Sequence, residues 1–137
     1  MSHCVLDSSA ALAWVLPGEG SETADQLLEQ IATEGAVVPG LWPLEIANVL
    51  LIAERRGRIT ISERHQALST LAELPIHIEP STAARAWTAT LALAESHKLT
   101  VYDATYLEAA LRLTLPLASY DRNLRQAATA CGVTILC

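Results

Sequence analysis

Short runs of apolar, β-prone residues alternate along this chain with longer segments patterned as helices, and that alternation leaves few folds open. Cys4-Val5-Leu6 reads as a short strand and Ser8 to Leu16 as a helix, stopped by Pro17-Gly18. Ser21 caps a second helix to about Glu34, with Glu22 and Asp25 in the first turn, where the helix dipole favours acids. Ala36-Val37-Val38 is a strand ended by Pro39-Gly40. A helix from Trp42 to about Arg56 follows, with Pro43 in its first turn and Gly57 beyond its end. Thr60 or Ser62 opens a helix to about Leu74, Ile76-His77-Ile78 is a third strand, and Ser81 begins a helix to Ser96. The rest reads as a helix from Tyr102 to Leu113, a strand from Pro116 to Ser119, a helix from Asp121 to Ala130 stopped by Gly132, and a strand from Val133 to Leu136. Strands joined through helices pair in parallel by right-handed crossovers, with helices covering both faces of the sheet. The expectation is one α/β domain over residues 1–137, a three-layer sandwich around a parallel sheet of about five strands.

That geometry gives the acidic residues a place to meet. The chain has only four aspartates among its 15 acidic residues, and three of them, Asp7, Asp103 and Asp121, stand at helix starts. In an open parallel sheet, ligands bind beyond the carboxyl ends of the strands, where the strand order reverses. Asp7 directly follows the first strand and Asp121 the fourth. Asp103 opens a helix that returns antiparallel to the strands and so begins at the same edge. Taken singly, each is most simply a helix cap: Asp7 and Asp121 are good N-caps, and Thr100-x-x-Asp103 resembles a capping box.

Glu45 tips the balance. Its helical neighbours at three and four residues are Leu41, Trp42, Asn48 and Val49, with no Lys or Arg to pair with it. An ionised carboxylate left unpaired in such surroundings costs on the order of several kcal/mol, comparable to the stability of a small domain. It must be neutral, exposed at a cleft, or bound to a cation, and a cation would also explain the gathered aspartates.

Composition narrows the partners. A net charge of −6 and a pI near 5.1 argue against nucleic-acid binding by bulk basicity. The positive charge is almost all arginine, clustered at Arg55, Arg56 and Arg58 and at Arg122 and Arg125, with Lys98 the single lysine. Arginine suits phosphate through its planar fork, although a solvated helix end explains the first cluster equally well. An apolar share of 51% with 18% charged residues suggests apolar surface that belongs to a partner or a second copy. Cys4, Cys131 and Cys137 lack zinc or disulfide spacing and read as small buried apolar residues in a reducing cytoplasm. No basic leader precedes the first strand, and Leu41 to Ala53 is too short to span a bilayer, so a soluble cytoplasmic protein is expected.

With these positions in hand, the chain resembles the PIN-domain family, in particular the toxin ribonucleases of VapBC-type toxin–antitoxin pairs. The matching segments are Val5-Leu6-Asp7-Ser8-Ser9-Ala10, Pro43-Leu44-Glu45-Ile46-Ala47-Asn48-Val49-Leu50, Tyr102-Asp103-Ala104-Thr105-Tyr106-Leu107-Glu108-Ala109-Ala110 and Ser119-Tyr120-Asp121-Arg122-Asn123-Leu124, in family order. The resemblance implies strand order 3-2-1-4-5, a Mg²⁺- or Mn²⁺-dependent endoribonuclease, a homodimer, and an antitoxin that covers the toxin. It places Asp7, Glu45, Asp103 and Asp121 as the catalytic and metal-binding acids, with Ser9, Ser119 and Asn123 in support. Ser9 would steady the first aspartate, and Ser119 stands where threonine is usual. Arg55, Arg56 and Arg122 are candidate contacts to the RNA backbone. The implied chemistry is in-line attack on a phosphodiester by water that one or two ions acidify, leaving a 5′-phosphate.

Two other classes compete. A catalytically inactive PIN-like interaction module would use the apolar surplus and Trp14, Trp42 and Trp87 as partner surface. A receiver domain or an aspartate-nucleophile phosphatase fits poorly: the second carboxylate a phosphatase needs is replaced by Ser9, and Lys98 lies too early for a receiver. His3, His65, His77 and His97 are scattered, and no Gly-x-Ser-x-Gly elbow or glycine-rich phosphate loop is present.

Overall fold

A computed structural model describes residues 2–137. Five strands, β1 (Val5–Leu6), β2 (Ala36–Pro39), β3 (Ile76–Glu79), β4 (Leu117–Ala118) and β5 (Ile135–Leu136), form one sheet in the order β3-β2-β1-β4-β5. All pairs are parallel, with Val5 opposite Val37 on one side and Leu117 on the other. The winding therefore reverses between β1 and β4, and the carboxyl ends of these two strands frame the switch point.

Among the described residues eight α-helices flank the sheet: α1 (Ser8–Leu12), α2 (Glu22–Glu34), α3 (Trp42–Arg55), α4 (Ile61–Ala72), α5 (Thr82–Arg85), α6 (Leu91–His97), α7 (Val101–Leu113) and α8 (Arg122–Ala130). Their starts follow hydroxyl and carboxylate chemistry. Ser21 accepts from the Ala24 amide, Thr60 forms a full capping box with Glu63, Thr100 accepts from the Asp103 amide, and Asp121 accepts from the Leu124 amide. Gly35 joins α2 to β2 at φ +81°, and a Cβ there would lie 3.0 Å from the Pro75 carbonyl oxygen, so both conformation and space require glycine.

The core centres on β1, whose Val5 and Leu6 are completely buried, as are Val38, Leu117 and Ala118 beside them. Helix α7 crosses β2, β1 and β4 on one side and is covered by α6 on the other. Every residue from Ala104 to Ala110 is buried as a result. Its hydrogen-bonded anchor is an ion triad. The Arg112 guanidinium binds both oxygens of Glu79 at 3.2 and 2.9 Å and both oxygens of Glu108 at 2.8 and 3.2 Å. Burial alone would raise Glu79, but its hydrogen bonds with Arg112 and Ser81 hold it below the usual carboxylate range. The triad ties the end of β3 to α7 and so fixes the helix that carries Asp103.

The elements differ from the sequence reading at several points. Helix α1 ends at Leu12 and not at Leu16, because Trp14 and Val15 bond to carbonyls three residues back and tighten the chain into turns. The Trp14 indole then donates to the Ala24 carbonyl at 2.8 Å, tying this turn to α2. The helix expected from Ser81 to Ser96 is interrupted by a π-turn at Ala86–Thr90 that presents Trp87 to solvent. The two strands β4 and β5 are shorter than expected. Only Cys4 is buried among the cysteines, since Cys131 and Cys137 are half-buried, and all three are free thiols. Among the described residues no helix is long and apolar enough to cross a membrane.

Candidate active site

The Asp7 backbone amide still pairs with the Ala118 carbonyl at 2.9 Å, so Asp7 is placed at the very end of β1 beside the end of β4. Its side chain makes no cap hydrogen bond to α1. Its buried carboxylate is held elsewhere: Ser9 Oγ and Ser119 Oγ donate to the same oxygen, Oδ2, at 2.7 and 2.6 Å. Each serine oxygen also accepts a backbone amide, Ser9 from Tyr120 at 2.9 Å and Ser119 from Asp121 at 3.0 Å. The two hydroxyls thus lock the first strand end to the turn that launches α8.

Asp121 caps α8, with the Leu124 amide 2.8 Å from Oδ1, so one of the three aspartates does act as a cap. Asp103 lies in the first turn of α7, with its amide on Thr100 Oγ1 at 3.1 Å. Glu45 lies in the first turn of α3 and is half-buried. The Tyr106 hydroxyl donates to its Oε1, and Ser8 Oγ bridges Glu45 Oε1 at 3.3 Å and Asp7 Oδ1 at 3.4 Å.

The four acids feel one another. Burial pushes Asp7 above the usual carboxylate range, the two serine hydroxyls oppose the rise, and the charge of Asp121 adds to it. Glu45 is raised first by burial, partly offset by Tyr106, and then by the charges of Asp7 and Asp103. Asp103 is pushed up to about 6 by burial and then by Asp121 and Asp7. Among the described residues none of the four forms a salt bridge. Such a group is electrostatically incomplete at neutral pH.

Its donors are all oxygen, carboxylate and hydroxyl, without His or Cys, which is the chemistry of a hard divalent cation. No three of the His, Cys, Asp and Glu side chains among the described residues close on a point tightly enough to enclose an ion by themselves. A hard cation that keeps several of its waters does not require such closure, so the residues fit.

The other sequence candidates are distributed unevenly. Ser9 and Ser119 touch Asp7, whereas Asn123 is exposed and lines a shallow depression with His97, Lys98 and Gln126, without a hydrogen bond to the acids. Arg55, Arg56 and Arg122 are exposed and unpaired among the described residues. Arg125 is structural: it donates to the Ser119 carbonyl at 2.8 Å and braces the strand end. Sequence reasoning missed Tyr106 and Ser8. Ser8 could have been found as a hydroxyl next to Asp7, but Tyr106 lies 61 residues from Glu45 and meets it only through the fold.

Both the sequence and the fold are similar to those of known proteins. The model of the PIN domain matches residues 4–130. The chain is 32% identical over 122 residues to Ribonuclease VapC3 of Pyrobaculum aerophilum, across 89% of this chain and 92% of that protein. Its fold is similar to that of PAE2754 from Pyrobaculum aerophilum, with a TM-score of 0.72 at 23% identity, covering 98% of this chain and 83% of the other. It is also similar to a chain of a toxin–antitoxin complex from Klebsiella pneumoniae, with a TM-score of 0.59 at 18% identity and 86% of each chain covered.

Proposed function

The chain belongs to the PIN-domain family, and on that premise we propose that it is a Mg²⁺- or Mn²⁺-dependent endoribonuclease, the toxin of a type II toxin–antitoxin pair. The observation that carries the reading is the set of four carboxylates at the switch point, whose charges help raise Asp7, Glu45 and Asp103 and which form no salt bridge among the described residues. Asp7, Glu45, Asp103 and Asp121 would hold the cation. When bound, it would neutralise the cluster, draw in the phosphate and supply Lewis acidity for hydrolysis of the phosphodiester.

The protein's own contribution is preorganisation. Ser9 and Ser119 fix one oxygen of Asp7 and leave Oδ1 for Ser8 and a ligand. The cap bond to Leu124 holds Oδ1 of Asp121 at the mouth of α8. The Glu79–Arg112–Glu108 triad holds α7 and hence Asp103 in register with the sheet. Exposed Arg55, Arg56 and Arg122 would bind the RNA backbone, countering an acidic chain locally. Asn123, two residues beyond Asp121 in the first turn of α8, would support the site from its exposed position.

The reading further takes residues 1–137 as one PIN-like domain, working in the cytoplasm as a homodimer with a cognate antitoxin. Exposed apolar side chains at Leu44, Ile61, Ile78, Trp87 and Leu91 support protein partners of this kind. The test is incubation of purified protein with defined transfer, ribosomal and messenger RNAs, with Mn²⁺, Mg²⁺ or EDTA. Metal-dependent cutting that Asp7→Asn abolishes is expected. Equal cutting by Asp7→Asn, or no cutting of any RNA, would overturn the proposal.

A further inference from the structure

Glu45 has no cationic partner among the described residues, yet it is not free to move. The Tyr106 hydroxyl donates to Oε1, and Ser8 Oγ approaches the same oxygen at 3.3 Å, while Oε2 has no hydrogen-bond partner among the described residues. Tyr106 is 0% exposed, so packing fixes its ring and its hydroxyl cannot turn to water. It follows Asp103 by three residues on α7 and therefore stands about one turn further along the same face. One helix thus delivers both an acid of the cluster and a grip on the acid of another helix.

The grip opposes two tendencies. A glutamate side chain loses considerable rotamer freedom when held in one place. The charges of Asp7 and Asp103 also repel Glu45 and would drive it outward to solvent. Resting on the metal-centre reading above, we infer that Tyr106 is a positioning residue, whose buried hydroxyl clamps Glu45 Oε1 and leaves Oε2 to serve the cation. A tyrosine that merely filled the core would be replaceable by phenylalanine without consequence for the cluster.

The test uses the full chain and Mn²⁺ alone as probe, with free Mn²⁺ followed by electron paramagnetic resonance, for wild type, Tyr106→Phe, Glu45→Gln and the double variant. Tyr106→Phe is expected to weaken Mn²⁺ binding by about tenfold or more, as removal of an outer-shell partner does, with the cleavage rate largely recovered at saturating Mn²⁺. The double variant should bind no more weakly than Glu45→Gln alone, since both changes remove one interaction. Equal Mn²⁺ binding by wild type and Tyr106→Phe, or effects that multiply in the double variant, would overturn the inference while leaving the metal centre standing. Wild type that binds no Mn²⁺ would remove the metal centre and this inference with it. A second measurement does not require Tyr106→Phe to fold. The chain has 3 tyrosines, so in 3-fluorotyrosine-labelled protein the signals of Tyr102 and Tyr120 can be assigned by Tyr→Phe changes, leaving Tyr106. Its fluorine resonance should move with Mg²⁺ in wild type and not in Glu45→Gln. Indifference to Mg²⁺ in wild type would refute the clamp.

Discussion

Replacing Asp103 with asparagine should make the metal-free protein more stable, and by an amount that depends on pH. A carboxyl whose folded pKa exceeds its unfolded value binds more protons when folded, so it removes stability as pH rises between the two values. For Asp103 these are the ordinary 3.8 and about 6, the rise being caused by burial and by Asp121 and Asp7. A difference of about 2 units corresponds to about 3 kcal/mol at roughly 1.4 kcal/mol per unit. Partial exposure to solvent screens this to about 1–2 kcal/mol. Asparagine keeps the shape of the side chain, and the cap on α7 survives because Thr100 accepts from the backbone amide of residue 103. Urea denaturation in EDTA should therefore give equal stabilities near pH 4 and an advantage of about 1–2 kcal/mol for Asp103→Asn at pH 7.5. Excess Mn²⁺ should reverse the order, since a ligand at one hundred times its Kd adds about 2.7 kcal/mol to a protein that binds it. A variant less stable than wild type in EDTA at pH 7.5, or a difference that ignores pH, would refute the account of the cluster.

Three further outcomes follow from the same contacts. Ser119→Ala takes a donor from buried Asp7 and an acceptor from the Asp121 amide, and should cost about 1–3 kcal/mol in urea denaturation at neutral pH. Arg112→Met strands Glu79 and Glu108 in the core and should cost about 3–5 kcal/mol. Because Arg112 and Ser81 together outweigh burial and hold Glu79 low, that cost should be full above pH 4 to 5 and shrink on acidification through the depressed folded pKa, as calorimetry across pH would record. Trp87→Lys, at a side chain 91% exposed, should leave the melting temperature unchanged but weaken self-association in sedimentation, if the π-turn serves the proposed homodimer.

The order and kind of the elements were legible because strands and helices alternate with clean start signals. Ser21, Thr60, Thr100 and Asp121 all cap where a sequence reader would place them. What was not legible depends on contacts distant in sequence. Asp7 has the form of an N-cap, but the hydroxyl of Ser119, 112 residues away, claims its carboxylate instead. Glu45 has no partner within four residues on its own helix, and Tyr106, which holds it, lies on another helix 61 residues away. Two of the three members of the ion triad, Glu108 and Arg112, have ordinary helical spacing, but their burial and their link to Glu79 arise only once β3 lies beside α7. The π-turn at Ala86–Thr90 contains neither glycine nor proline, so nothing local announces it.

If the four acids at the switch point form a divalent metal centre, the ion can be located directly. Crystals grown with Mn²⁺ and measured near its absorption edge would locate the ion by anomalous scattering. A peak bounded by Asp7, Glu45, Asp103 and Asp121 that vanishes in Asp7→Asn is expected. A peak elsewhere, or an unaltered one in the variant, would contradict it.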